Sequence, residues 1–168
     1  MVKLKRITKK VLFAKTIEIL QPKLNLQDWR IVVKYSYNMK KILADCAAQP
    51  EYRQASIRLS LAQSKNYTHY EIIATAIHEM MHCVLWPLSQ LTVDFSKKDA
   101  HKLELSRRTD EAVVTHLERV FTDMAVPYLR EELIKQGYQD VIGDFENIRL
   151  SHDKKVAAKK PTRNRKRN

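Results

Sequence analysis

Apolar residues recur along this chain with two different periods, and the changes of period divide it into predicted helices and strands. A stripe at helical spacing covers residues 4–20 and ends before Pro22, which predicts an N-terminal helix. Residues 29–37 are rich in β-branched and aromatic side chains, and residues 55–61 alternate apolar with polar positions, so both segments predict strands. Residues 42–47 are a third candidate strand.

A second helical pattern follows these strands. Thr68 is predicted to cap it, because Glu71 follows three residues later as in a capping box. Apolar residues then recur at helical spacing as far as Val84. Pro87 predicts the end of this helix, since proline disfavours helical geometry in the residue before it.

A third helical pattern is predicted to begin at Glu111, with Thr109 or Asp110 as its cap. Its apolar side consists of Val113, Val114, Leu117, Val120, Phe121 and Met124. Pro127 is predicted to restart a short helix that ends at Gly137. One helix, three strands and further helices in this order predict an α+β fold.

The segment His78-Glu79-Met80-Met81-His82, within the second helical pattern, is the main candidate for chemistry. Histidines four residues apart lie on one face of a helix, about one turn apart, so both imidazoles can point at one zinc ion. Glu79 lies beside that ion and can take a proton from water, as the general base of a metalloprotease does. The motif therefore predicts a zinc-dependent hydrolase with His78 and His82 as metal ligands.

A catalytic zinc site needs a third protein ligand. The extended motif that ends in a third histidine is broken, because Leu85 replaces its glycine and Leu88 its last histidine. This excludes the metzincin arrangement. The remaining candidates lie downstream and are His101, Glu104, Asp110, Glu111 and His116.

Glu111 is the third ligand that we favour, with His101 as the alternative. The helical face of Glu111 also carries Val114, Thr115 and Glu118. Burial of that face would carry the Glu111 carboxylate into the core, where it needs a metal, a partner or a proton. His116 lies roughly 140° further round the helix, so it cannot share a site with Glu111.

The chain resembles the zincin metallopeptidases, and most of all the small ones encoded by bacteriophages and prophages. The resemblance rests on residues 78–88 and 111–114, and it covers roughly residues 7–124. A glutamate at position 111 resembles the gluzincin ligand set of two histidines and one glutamate. The SprT-like proteases are the nearest alternative and would favour His101, but residues 99–102 lack the glycines that usually flank the SprT ligand.

This resemblance implies a minimal zincin layout, in which a small sheet lies over the motif helix. The edge strand of such a sheet pairs with an extended protein or peptide substrate, and the strand at residues 55–61 would be that edge here. A peptidase also needs a donor for the oxyanion of the transition state. His101 and Tyr138 are the candidates for that donor.

The composition fits one zincin-like domain, predicted over residues 1–150, followed by a basic tail at residues 151–168. Two cysteines are too few for a disulfide framework, and Cys83 is expected to pack in the core. No signal-peptide pattern is present, and no apolar run approaches the roughly 20 residues that cross a membrane. We therefore expect a cytoplasmic protein, in a bacterial host cell if the chain is phage-encoded.

The net charge of +12 is concentrated at the two ends of the chain. Eight lysines and arginines lie within residues 154–167 without an acid, and six precede the first acid, Glu18. Such ends suit non-specific contact with nucleic acid, or they only improve solubility. The alternatives to a peptidase are thus a non-catalytic, zinc-stabilised binding protein and a nucleic-acid-associated protein whose basic termini dominate.

Overall fold

A computed structural model of the protein describes residues 5–96 and 99–139, which form one small sheet and four helices. The elements in chain order are α1 (Lys9–Leu20), β1 (Arg30–Ser36), β2 (Ala44–Gln49), a 3₁₀ turn (Pro50–Tyr52), β3 (Gln54–Ser60), α2 (Leu61–Ser64), α3 (His69–Ser96) and α4 (Ala100–Lys135). The predicted α+β class is confirmed. The predicted basic tail at residues 151–168 and the predicted domain end at residue 150 lie outside the described residues.

The N-terminal helix begins where the sequence provides a cap. The Thr8 hydroxyl accepts a hydrogen bond from the Val11 amide, which satisfies one of the free donors at the start of α1. Its apolar stripe packs into the core with Leu12, Phe13 and Ile17 fully or almost fully buried. The helix ends at Leu20, before Pro22, as predicted.

The sheet has the strand order β1-β3-β2, with β3 parallel to β1 and antiparallel to β2. The prediction that residues 55–61 form the edge strand is therefore wrong. The buried Ile57 and Leu59 alternate with more exposed residues, and such alternation shows only which face of a strand is buried. It contains no information on how many neighbouring strands there are. The edge strand that packs on α3 is β2.

The motif helix α3 begins with the predicted capping box. The Glu71 carboxylate accepts a hydrogen bond of 2.7 Å from the Thr68 amide, and the Thr68 hydroxyl accepts one of 3.2 Å from the Glu71 amide. The prediction that this helix ends at Pro87 is wrong, because α3 continues to Ser96. Proline removes one backbone hydrogen bond, but packing against α4 keeps both halves in one helix.

Residues 100–135 form one continuous helix, α4, so the predicted start at Glu111 and the predicted break at Pro127 are both wrong. The cap is Asp99, whose carboxylate accepts from the amides of His101 and Lys102. Pro127 is exposed, and the residues on either side of it remain packed on the core. The predicted end at Gly137 is confirmed, since this residue adopts a φ of 82° and its amide donates back to Ile134.

The core lies between the inner face of the sheet and helices α1, α3 and α4. The largest fully buried side chains of α3 are Ile72, Ile73, Ile77, Met80 and Met81. This face lies beside the face that carries the motif histidines, so the packing of α3 also fixes the direction in which the histidines point. In the described part of the chain, no helix combines the length and the apolar character that a membrane span needs.

Candidate metal centre

Helix α3 presents His78 and His82 one turn apart on the same face, as the spacing predicted. Their ring centroids lie 5.0 Å apart with the rings close to perpendicular. The side chains are 18% and 32% exposed, and both line the cleft beside them. Two imidazoles held in this way can direct nitrogen lone pairs at a common point.

Helix α4 brings Glu111 to the two histidines. Its Oε1 lies 3.1 Å from Nε2 of His78, and its Oε2 lies 3.8 Å from Nε2 of His82. One ligand atom from each of the three residues falls within 4.8 Å of the others, and no other such group of three occurs in the described residues. The glutamate side chain thus closes a three-residue cluster across two helices.

These three side chains fit a zinc ion. Ligand bonds of about 2.1 Å at tetrahedral angles place ligand atoms roughly 3.4 Å apart, which lies within the spread of separations seen here. Two histidines and one glutamate are also a ligand set of catalytic zinc sites, in which the fourth position is left open. The open cleft beside the cluster provides that fourth position.

The structure does not bring the other candidate ligands to this cluster. His101 is exposed near the start of α4, ten positions before Glu111, which corresponds to about 15 Å along the helix. Glu104 pairs with Arg108 on the surface, and His116 is exposed. Asp110 lines the cleft but lies outside the three-residue cluster.

The Glu111 side chain is 58% exposed, so the expectation that it is carried into the core is wrong. Its neighbour Val114 on the same helix is buried, because the buried face of α4 starts one turn further on. Glu111 instead stands at the lip of an open cleft. A cation at this position would be reached from solvent without any movement of the core.

Glu118, two turns after Glu111 on α4, holds the other nitrogen of His78. Its Oε2 lies 3.1 Å from Nδ1 of His78. Because an ionised carboxylate only accepts hydrogen bonds, Nδ1 carries the proton and Nε2 is left to face Glu111. Burial alone would lower the pKa of His78, but this hydrogen bond and the neighbouring carboxylate charges raise it above its ordinary value. On the sequence alone, Glu118 was predicted to share this face with Glu111, but no role was predicted for it.

Glu79 is 6% exposed and lines the same cleft. Burial raises the pKa of its carboxyl to about 7, with smaller contributions from the charges of nearby acids. A carboxyl group with this pKa exists in both protonation states near neutral pH. It can therefore accept a proton and release it again, which is the property required of a catalytic acid and base.

The cleft has a volume of about 460 Å³ and is formed by three elements. Helix α3 forms the floor, α4 forms one side, and the edge strand β2 forms the other. The β2 wall consists of Ala44, Asp45, Cys46 and Ala48, and α4 contributes Arg107 besides Asp110 and Glu111. Arg107 and the four β2 residues were not predicted from the sequence as part of the site, since no local pattern shows that β2 faces the motif helix or that α4 extends before Glu111. The proposed oxyanion donors His101 and Tyr138 do not line this cleft.

The two cysteines connect β2 to the motif helix. Cys83 is buried, as predicted, and its Sγ lies 3.6 Å from Sγ of Cys46. Both are free thiols. The hydrogen bond between them, together with burial, raises the pKa of Cys46, so this thiol stays protonated. The contact holds the edge strand against α3 beside His82.

The family profile of the SprT-like family matches residues 20–116, which is more than half of the 168-residue chain. The match contains His78, His82 and Glu111. No curated protein and no solved structure matches the chain. By its sequence motifs this family was the nearest alternative to the phage-encoded zincins, and a phage origin stays a prediction. On this match, the chain belongs to the SprT-like family, which is related to the zincin metallopeptidases.

Proposed function

We propose that the protein is a zinc-dependent peptidase in which His78, His82 and Glu111 hold the metal. The observation that supports this most directly is the presence of a buried Glu79 in the same cleft as the three-residue cluster. A site that only stabilises the fold has no use for a buried carboxyl group beside its metal. Membership of a metallopeptidase-related family points in the same direction.

When bound, a zinc ion would polarise a peptide carbonyl and acidify a water molecule. Side chains of the protein itself transfer the proton and orient the metal ligands. Glu79 accepts a proton from the attacking water and passes it to the nitrogen of the leaving amine. Glu118 keeps the ring of His78 in the tautomer that leaves Nε2 free for the metal.

The edge strand β2 is the surface along which we propose that the substrate binds. Within the described residues β2 pairs with β3 alone, so its other edge has backbone groups free to pair with an extended peptide. The cleft wall at Ala44 and Ala48 has small side chains, which leave room for a second backbone. A peptide on this edge would lie across the floor that carries His78 and Glu79.

Hydrolysis of an unfolded protein tests the proposed function. We expect the zinc-loaded protein to cleave labelled casein, to lose this activity when 1,10-phenanthroline removes the metal, and to regain it on addition of zinc but not of magnesium. Fluorescence release from the casein measures the rate. A protein that binds zinc and leaves casein and unstructured peptides intact would instead support the non-catalytic alternative.

Replacement of Glu118 by Ala is expected to weaken zinc binding by about 10- to 100-fold, because the ring of His78 loses its orienting partner. Glu118→Gln should lose less, since its amide oxygen still accepts from Nδ1. Competition with a chromophoric chelator gives the Kd of each variant. His116→Ala is the control, since His116 is exposed on the same helix. Equal affinities of wild type and Glu118→Ala would remove Glu118 from the site.

A further inference from the structure

The cleft extends beyond the metal centre along the motif helix. The face of α3 that carries His82 continues at helical spacing, and four later residues on it line the cleft. Helices α3 and α4 run antiparallel. His78, the earlier residue of α3, contacts Glu118, the later residue of α4, whereas His82 contacts the earlier Glu111. Arg107, one turn before Glu111, therefore faces the extension. We call this extension of the cleft the distal subsite; it is lined by Trp86, Ser89, Gln90, Val93 and Arg107.

Arg107 is a cation without an ion-pair partner among the residues that the structure describes. Asp110 and Glu111 follow it at helical spacing and line the same cleft, yet neither pairs with it. The oxygens of Glu111 face His78 and His82 instead. By contrast the next residue, Arg108, points away and pairs with Glu104 at 2.8 Å.

The other charges of the cleft leave room for an anion beside Arg107. The carboxylate of Asp45 is engaged by Arg58 in two hydrogen bonds. Glu111 belongs to the metal cluster, and Glu79 is buried next to it. Among the described residues that line the cleft, Asp110 is the remaining acid, and it lies on the metal side of Arg107 along α4.

On this geometry we propose that the distal subsite selects an acidic side chain of the substrate, with Arg107 as its specificity-determining residue. This inference rests on the proposed peptidase function. The guanidinium binds a carboxylate through two parallel hydrogen bonds, a geometry that a neutral amide cannot match. Trp86 and Val93 contact the methylene groups of the side chain, so glutamate, which has two of them, fits better than aspartate. The preferred substrate is thus an extended peptide with a glutamate close to the scissile bond.

Peptide binding to the zinc-loaded Glu79→Gln variant tests the proposal without relying on turnover. The probes are labelled peptides with blocked termini that differ only in one central residue, which is Glu, Gln or Lys. Fluorescence anisotropy gives their Kd values. We expect the Glu peptide to bind about 10- to 100-fold more tightly than the Gln peptide, the range for a hydrogen-bonded charged group. A Gln peptide with a free C-terminal carboxylate shows whether a chain end can replace the side chain.

Charge reversal gives the sharpest comparison. Arg107→Glu should invert the preference, so that the Lys peptide binds more tightly than the Glu peptide. Arg108→Glu places the same charge one residue away, outside the cleft, and should keep the wild-type order. Melting curves of both variants show that they are folded to the same degree.

The outcomes separate the subsite from the peptidase function. If all peptides bind equally, if none binds, or if Arg107→Glu keeps the preference for glutamate, the distal subsite is overturned. If only the Gln peptide with a free C-terminus binds tightly, the subsite recognises the C-terminal carboxylate of a chain, and the proposal is likewise overturned. If the Arg107-dependent preference is found but zinc-loaded wild type cleaves nothing, the subsite stands and the peptidase function fails. If casein is cleaved without enrichment of glutamate near the cut sites, the peptidase function stands and the distal subsite fails.

Discussion

Glu79→Gln is expected to lower the turnover of the zinc-loaded protein by about 10²- to 10⁴-fold, while about one zinc ion per chain is retained. Glutamine has nearly the same shape as glutamate but cannot accept a proton from the attacking water. Because Glu79 is not part of the three-residue cluster, its replacement leaves the ligands in place. His82→Ala should behave differently and lose both zinc and turnover.

The rate of cleavage of a quenched fluorescent peptide and the zinc content by elemental analysis are the two measurements for this prediction. Glu104→Gln is the matched control, because Glu104 is an exposed glutamate on α4 that pairs with Arg108 away from the cleft. It should keep both zinc and turnover. If Glu79→Gln cleaves the peptide as fast as wild type, Glu79 is not the general base.

Local patterns predicted the parts of the fold that depend on neighbouring residues in the chain. The capping box of Thr68 and Glu71, the end of α1 before Pro22, and the three strands are all found close to their predicted positions. Each of these depends on hydrogen bonds or side-chain periodicity over a few residues. The fold class followed from their order alone.

Features that depend on packing between distant segments were predicted less well. The prolines at positions 87 and 127 interrupt a helix only if nothing else holds its two halves together, and here α3 and α4 pack on each other. Whether β3 lies at the centre or at the edge of the sheet depends on which strands pair with it. The alternation of apolar and polar residues within β3 does not contain that information. Both errors have the same origin, since the deciding contacts lie far away in the sequence.

In the candidate site, too, the features that depend on nearby residues were predicted, and those that depend on packing between distant segments were not. The geometry of His78 and His82 follows from a spacing of four residues on one helix. The position of Glu118 opposite His78, and that of Arg107 beside the cleft, depend on the register between α3 and α4. A spacing of seven residues between Glu111 and Glu118, which places both on one face of a helix, was the available signal that these two acids act on the same partner.

Glu111→Ala is expected to remove zinc from the protein, whereas His101→Ala is expected to keep about one zinc ion per chain. Two histidines alone form an incomplete site, and the structure places Glu111 within 3.8 Å of both. His101 lies ten positions before Glu111 on the same helix, about 15 Å away along its axis, so it is too far from the cluster to bind the same ion in this arrangement. Elemental analysis of the three proteins, purified side by side and dialysed against metal-free buffer, gives the zinc content.

The comparison decides which ligand set this member of the SprT-like family uses. Loss of zinc with Glu111 and its retention without His101 would assign two histidines and a glutamate, as in the observed cluster. Loss with His101 and retention without Glu111 would require the N-terminal part of α4 to approach α3 in the metal-bound protein. Glu104→Ala, on the same helix between the two positions, controls for general damage to α4 and should keep the metal. If zinc is absent from all samples even after its addition, the cluster is not a metal site, and Glu79 has no metal to act with.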